Sequence, residues 1–289
     1  MKRRELLKNS AALGLMAAMP FSLFAAPRAD AESSKSASGA GKLVAALNPL
    51  KRPADGSSIP VAFLISEDSV LIDFGGPWEV FGNVMPDGRM DMDTFRLYTV
   101  AETTKPIKAS GGMKIIPDYP LETAPVPKVI VIPAQSNSSE AVLEWIRKSS
   151  KTADVTMSVC TGAYLLARTG LLDGKAATTH HASYVDFALK FPNVRVKRGV
   201  RFVEDGNLAT SGGLACGIDL ALRVVERYYG REVATQAAYN MEYQGQGWMN
   251  PDSNAVYATQ RTSVNHHARV QSGDLWLLPS LCPAAGHKF

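Results

Sequence analysis

Apolar residues cluster along this chain in short runs separated by longer amphipathic stretches. Ile59–Ile65 (I-P-V-A-F-L-I) and Lys128–Ile132 are nearly unbroken apolar segments, and Phe95–Val100 reads as another strand. Runs this short predict strands buried on both faces. Between them the period changes to that of helices. Ser139–Ser149 places Ala141, Val142, Trp145 and Ile146 on one face, Leu214–Tyr229 is the longest such stretch, and Arg231–Tyr239 follows Gly230. Gly75-Gly76-Pro77 reads as the opening of a helix with Pro77 at its first position and Trp78, Val80 and Phe81 as core contacts. Smaller elements are a short extended piece at Met113–Ile116, a strand at Ala176–Thr179, a helix at Ala182–Leu189 and a strand at Val194–Val196. Arg201–Val203 and Asn207–Thr210 flank Glu204-Asp205-Gly206 as a hairpin. Strands alternating with helices imply an α/β fold, a mostly parallel sheet with helices on both faces, whose chemistry lies beyond the carboxyl ends of the strands.

One stretch organises the rest. In Val155–Gly162 (V-T-M-S-V-C-T-G), Val155, Met157 and Val159 alternate with small polar residues, and the apolar helix former Ala163–Ala167 follows at once. A strand that turns into a helix at a single residue holds that residue in a nucleophile elbow. The helix N-terminus there favours a thiolate over a thiol. Cys160 is therefore a candidate nucleophile; the alternative is a buried cysteine packed as a small hydrophobe. Asp73, inside the apolar segment L-I-D-F-G-G-P, needs a partner. Either it caps a helix, or it faces Cys160 with a raised pKa and moves a proton. His180 and His181 follow Thr178 and Thr179 at a strand end, where a hydrogen-bonded structural role competes with a Cys–His pairing. The Pro133–Gln135 loop reaches the same edge of the sheet.

The first residues read as a leader rather than as fold. Lys2-Arg3-Arg4-Glu5-Leu6-Leu7-Lys8, the weakly apolar Ala11–Ala26 and the Ala29-Asp30-Ala31 cleavage site have the pattern of a twin-arginine export signal. That expectation covers residues 1–31, with a linker over 32–58, a periplasmic location and no lasting membrane insertion. The leader holds five of the 31 Lys and Arg and two of the 27 Asp and Glu. What remains is close to neutral, without a basic run to suggest nucleic acid. Three cysteines, Cys160, Cys216 and Cys282, are too few for a disulfide framework. Cys216 sits in the apolar L-A-C-G-I-D-L-A-L and reads as core. No C-x-x-C or H-x-x-x-H spacing suggests a metal.

Four separated motifs, I-D-F-G-G-P-W-E-V-F, V-I-V-I-P, S-V-C-T-G-A-Y-L-L-A-R-T-G-L-L-D-G-K-A-A-T-T-H and G-N-L-A-T-S-G-G-L-A-C-G-I-D-L-A-L, occur in order over Ile59–Tyr243. Together they resemble the ThiJ/PfpI superfamily, the class I glutamine-amidotransferase-like fold, and within it the isonitrile hydratase branch. The resemblance implies a flavodoxin-like sandwich that forms homodimers, with the elbow cysteine at Cys160, its acid at Asp73 and the hydroxyl residue after the cysteine at Thr161. It implies cofactor-free addition of water to an isonitrile through a thioimidate, with Ala134, Gln135, Gly76 and His180 facing the substrate. One departure stands out. The family usually has Gly-Gly after the strand-ending proline, where a backbone N–H lines an oxyanion pocket; here the residues are Pro133-Ala134-Gln135.

The same motifs serve as the sensing half of AraC-type regulators. The forty-six residues after Tyr243 are not helix-patterned, so a DNA-binding half is not expected. An exported binding or redox-sensing module, or a glyoxalase-like or amidase activity in the same pocket, are the other functions this fold offers. The extension 244–289 reads as a wrap around the body or a partner subunit.

Overall fold

The computed structural model describes residues 49–86, 94–136 and 139–259. The expected leader, most of the linker, Cys282 and the last three histidines lie outside them. The apolar runs form the middle of a seven-stranded sheet: β1 (Ile59–Leu64), β2 (Phe95–Ala101), β5 (Tyr119–Pro120), β6 (Val129–Ile132), β7 (Val155–Ser158), β10 (Phe202–Asp205) and β11 (Leu208–Ser211). Their order is β10-β11-β7-β6-β1-β2-β5. Every pairing is parallel except β10 with β11, which is the expected hairpin. Two small ladders stand apart from this sheet. One joins β3 (Ile107–Lys108) to β4 (Lys114–Ile115), and the other joins β8 (Ala176–Ala177) to β9 (Arg195–Val196).

Helices cover both faces, which is why the inner strands are apolar on both sides. Val61, Phe63, Val129, Val131, Val155 and Met157 point into one core, closed by α1 (Leu71–Gly82), α5 (Cys216–Tyr229) and α6 (Arg231–Asn240). Ala62, Leu64, Ile130 and Ile132 point into the other, closed by α2 (Glu140–Ser150), α3 (Gly162–Arg168) and α4 (Tyr184–Lys190). This is the doubly covered, mostly parallel sheet expected from the pattern, in the flavodoxin-like α/β arrangement that the resemblance implies. At α2 the Ser139 hydroxyl caps the helix by accepting from the Val142 N–H.

Three expectations need correction. The first concerns α1, which starts at Leu71, four residues before Gly75, so Pro77 lies inside it. Its start is fixed from afar: the Val70 N–H donates to Ala134 O and the Leu71 N–H to Ser110 Oγ. These contacts satisfy early donors that no local cap serves, and the helix tolerates a missing N–H at Pro77. The second is that Ala176–Thr179 pairs outside the main sheet and contributes only two strand residues. The third is that the long helix begins at Cys216, because Leu214 is held at a φ of 48°. Beyond Tyr243, the first part of the extension packs onto the body. Trp248 is buried, and the Arg201 N–H donates to Pro251 O.

Candidate active site

The site is built around a strained backbone. Cys160 adopts a φ of 58°, a conformation L-residues avoid and that functional turns often hold. Its N–H donates to Gly212 O at 3.0 Å, and its own carbonyl accepts from the Thr179 hydroxyl at 3.0 Å. Two steps on, glycine is required. A Cβ on Gly162 would lie 2.2 Å from Ile132 O, so only glycine lets α3 start this close to the end of β6. The C-T-G sequence thus encodes the elbow itself.

Around the Cys160 sulfur the donors are two backbone groups, the N–H of Thr161 and the N–H of Leu214, and one side-chain group, the Thr161 hydroxyl. Leu214 comes from the loop between β11 and α5, where it adopts a φ of 48°. The donors are opposed by burial. Cys160 is only 6% exposed, and burial first, then the Asp73 charge, push its thiol up to about 12. Burial and the Asp73 charge thus work against the thiolate that the helix terminus favours.

Asp73 is fully buried in the first turn of α1. It caps nothing. One carboxyl oxygen accepts the Ala134 N–H at 3.1 Å, and the other has no hydrogen-bond partner among the described residues. Burial lifts its pKa to about 7, against the smaller opposing effect of the Ala134 N–H. A carboxyl raised to about 7 is balanced between its acid and base forms near neutral pH, and its charge reaches Cys160.

The other expected substrate positions serve mainly as support here. Ala134 spends its N–H on Asp73 and its carbonyl on Val70, so that N–H is not left free for an oxyanion. The Gln135 amide donates to Leu64 O at 2.9 Å and ties the loop to the end of β1. Gly76 lies mid-helix, where a Cβ would be 2.8 Å from Ile218 Cγ1, so it sets the approach of α1 to α5. His180 rests against Gly213, and its Nδ1 accepts from the Ala182 N–H at 3.3 Å. Burial lowers its pKa, with His181 acting in the same direction. Leu214 was not visible as a site residue, since a backbone donor leaves no side-chain signature. The S-G-G-L turn before an apolar helix was the available hint.

Cys216 is buried, with its thiol pushed up to about 11 chiefly by burial. Among the described residues, no group of His, Cys, Asp and Glu is placed to hold a metal ion, and no helix is long and apolar enough to cross a membrane.

The chain is similar to an isonitrile hydratase of Pseudomonas putida, 32% identical over 191 residues, which cover 64% of this chain and 79% of that protein. It is also similar to the HTH-type transcriptional regulator CdhR of Pseudomonas aeruginosa, 29% identical over 154 residues, 52% of this chain and 46% of the regulator. Among solved structures, a ThiJ/PfpI family protein from Pseudomonas syringae superposes with a TM-score of 0.58 at 25% identity, covering 67% of this chain and 78% of that one. Drosophila melanogaster DJ-1beta shares the fold, with a TM-score of 0.56 at 18% identity over 65% of this chain and 100% of that one. Residues 60–227, more than half the chain, match the DJ-1/PfpI family. With its sheet order and its cysteine on a strained strand-to-helix turn, the protein belongs to the DJ-1/PfpI family.

Proposed function

We propose that the protein is a cofactor-free, isonitrile hydratase-like enzyme. The observation that carries this reading is the pairing of a buried, half-satisfied Asp73 with Cys160 on its elbow. An isonitrile, R–N≡C, is neutral and carries its reactivity on a terminal carbon that must gain both a nucleophile and a proton. A neutral thiol beside a carboxyl group that titrates near 7 supplies both without creating a lasting charge in a dry site.

In the first step the Cys160 sulfur bonds to the terminal carbon. The thiol proton passes by way of Asp73 to that same carbon, giving the thioimidate R–N=CH–S–Cys160. Water then adds to the C=N carbon with Asp73 as base. The nitrogen takes a proton, the C–S bond breaks, and the sulfur recovers its proton as R–NH–CHO leaves. The Thr161 and Leu214 N–H groups stabilise charge on sulfur during both steps. Thr161 orients the reacting groups. The similarity to the Pseudomonas putida hydratase supports the reading. Homodimer formation, and export on the strength of Arg3-Arg4 and Ala29-Asp30-Ala31, belong to the same proposal.

The test is formamide release from an alkyl or aryl isonitrile. Wild type should turn over and Cys160→Ala should not. Asp73→Asn, with the thiol intact, should lose at least about a hundredfold, the usual worth of a positioned acid–base group. Wild-type turnover by Asp73→Asn would remove the acid role. No turnover by wild type, with a thiol that still alkylates, would favour a binding or sensing module.

A further inference from the structure

The turn that presents Leu214 to Cys160 is supported from the far end of the chain. Past Tyr243 the backbone passes Asp219 of α5 and Arg201, the residue before β10. Trp248 is buried beneath the Arg231 guanidinium, which lies 5.0 Å from the ring centre. Asn254 Nδ2 donates to Val200 O at 3.4 Å. A 3-10 turn at Ala255–Tyr257 follows, and Ala258 sits over Gly199, where a Cβ would come within 2.7 Å. From this turn three rings run inward in sequence. Tyr257 stacks on His181 at 4.7 Å between ring centres with planes 34° apart, and His181 stacks on His180 at 4.3 Å and 37°. The His180 ring then presses on Gly213 so closely that a Cβ there would lie 2.3 Å from its Cδ2. The next residue is Leu214, at its positive φ with its N–H on the Cys160 sulfur.

We propose that Tyr257 is a positioning residue: through the His181–His180 stack it holds the Gly213–Leu214 turn in the conformation that delivers the Leu214 N–H to Cys160. The geometry gives the stack a reason to exist. A residue at positive φ relaxes unless its surroundings hold it. The α5 side of the turn is fixed by the helix, while its outer side is met by His180. His180 is held by the Ala182 N–H on its Nδ1 and stacks on His181, and His181 stacks in turn on Tyr257. An aromatic ring on the extension closes a site more than ninety positions earlier in the chain. The inference rests on Cys160 as the nucleophile, but not on the substrate it takes.

The experiment reads the Leu214 amide directly, by hydrogen exchange in the full chain without substrate. In Tyr257→Ala the Gly213 and Leu214 amides should exchange about threefold to thirtyfold faster, the range spanned by remote couplings. Amides in the middle of α5, Leu220–Val225, should be unchanged. Tyr257→Phe keeps the ring and should match wild type. If Tyr257→Ala does not fold, His181→Ala breaks the stack at another ring and carries the same expectation. Unchanged exchange at Leu214, or an equal rise along the whole of α5, would overturn the proposal. Because no substrate is present, a failed hydratase assay leaves this result intact.

Discussion

Asp73 and Asp219 are both fully buried, and both lie in the first turn of helices that pack against each other, α1 and α5. Their surroundings are opposite. Asp219 accepts from Arg201 Nε at 2.7 Å, from Arg201 Nη2, from the Tyr243 hydroxyl at 3.0 Å and from the Trp248 N–H. Gly247 leaves room for this cluster, since a Cβ there would fall 2.5 Å from the carboxylate. Asp73 has one backbone N–H and a bare oxygen. Burial raises the pKa of both, but at Asp219 the Arg201 charge and four donors oppose it. The contrast separates two uses of a buried acid. Asp219 is a structural anchor that fastens the extension to α5, whereas Asp73 is left half-satisfied, as the proton carrier of the proposed function requires.

Breaking the anchor should have the largest effect on stability. Arg201→Ala leaves Asp219 buried without its counter-charge, and loss of one partner of a buried pair costs about 3–5 kcal/mol. Denaturant titration should show that loss, and a change under 1 kcal/mol would mean that Asp219 is as unsupported as Asp73. The placement of Asp73 should be cheaper to disturb. Ser110→Ala removes the side-chain acceptor for the Leu71 N–H at the start of α1 and should cost about 1 kcal/mol. Formamide release should fall with it, because Asp73 sits two residues further on. Unchanged turnover would show that Asp73 is placed by Ala134 alone.

Much of this was legible locally. The inner strands announced themselves because each is apolar on both faces, and the elbow did so because a strand, a cysteine and a glycine before a helix leave one local geometry. What stayed hidden depends on distant partners. The start of α1 is set by Ser110, thirty-nine residues away. The choice between cap and acid at Asp73 turns on Ala134, sixty-one residues away, and on an oxygen that finds nothing. Thiolate or thiol at Cys160 is a contest between a helix terminus, visible in the sequence, and burial plus the Asp73 charge, visible only in the fold. Leu214 acts through its backbone, which no residue type advertises.

The most direct test of this contrast is the stability difference between Asp73→Asn and wild type as a function of pH, by denaturant titration. A carboxyl raised from 3.8 when unfolded to about 7 when native binds its proton more tightly in the folded state. Its contribution is complete below about pH 4 and is lost as the pH rises through about 7, at about 1.4 kcal/mol per pH unit and at most about 4 kcal/mol in all. The asparagine variant lacks that titration, so its stability relative to wild type should climb across this window and level off above it. A flat difference, or one that moves against the variant as the pH rises, would mean that Asp73 is an ordinary ionised carboxylate and that the site holds no proton to give.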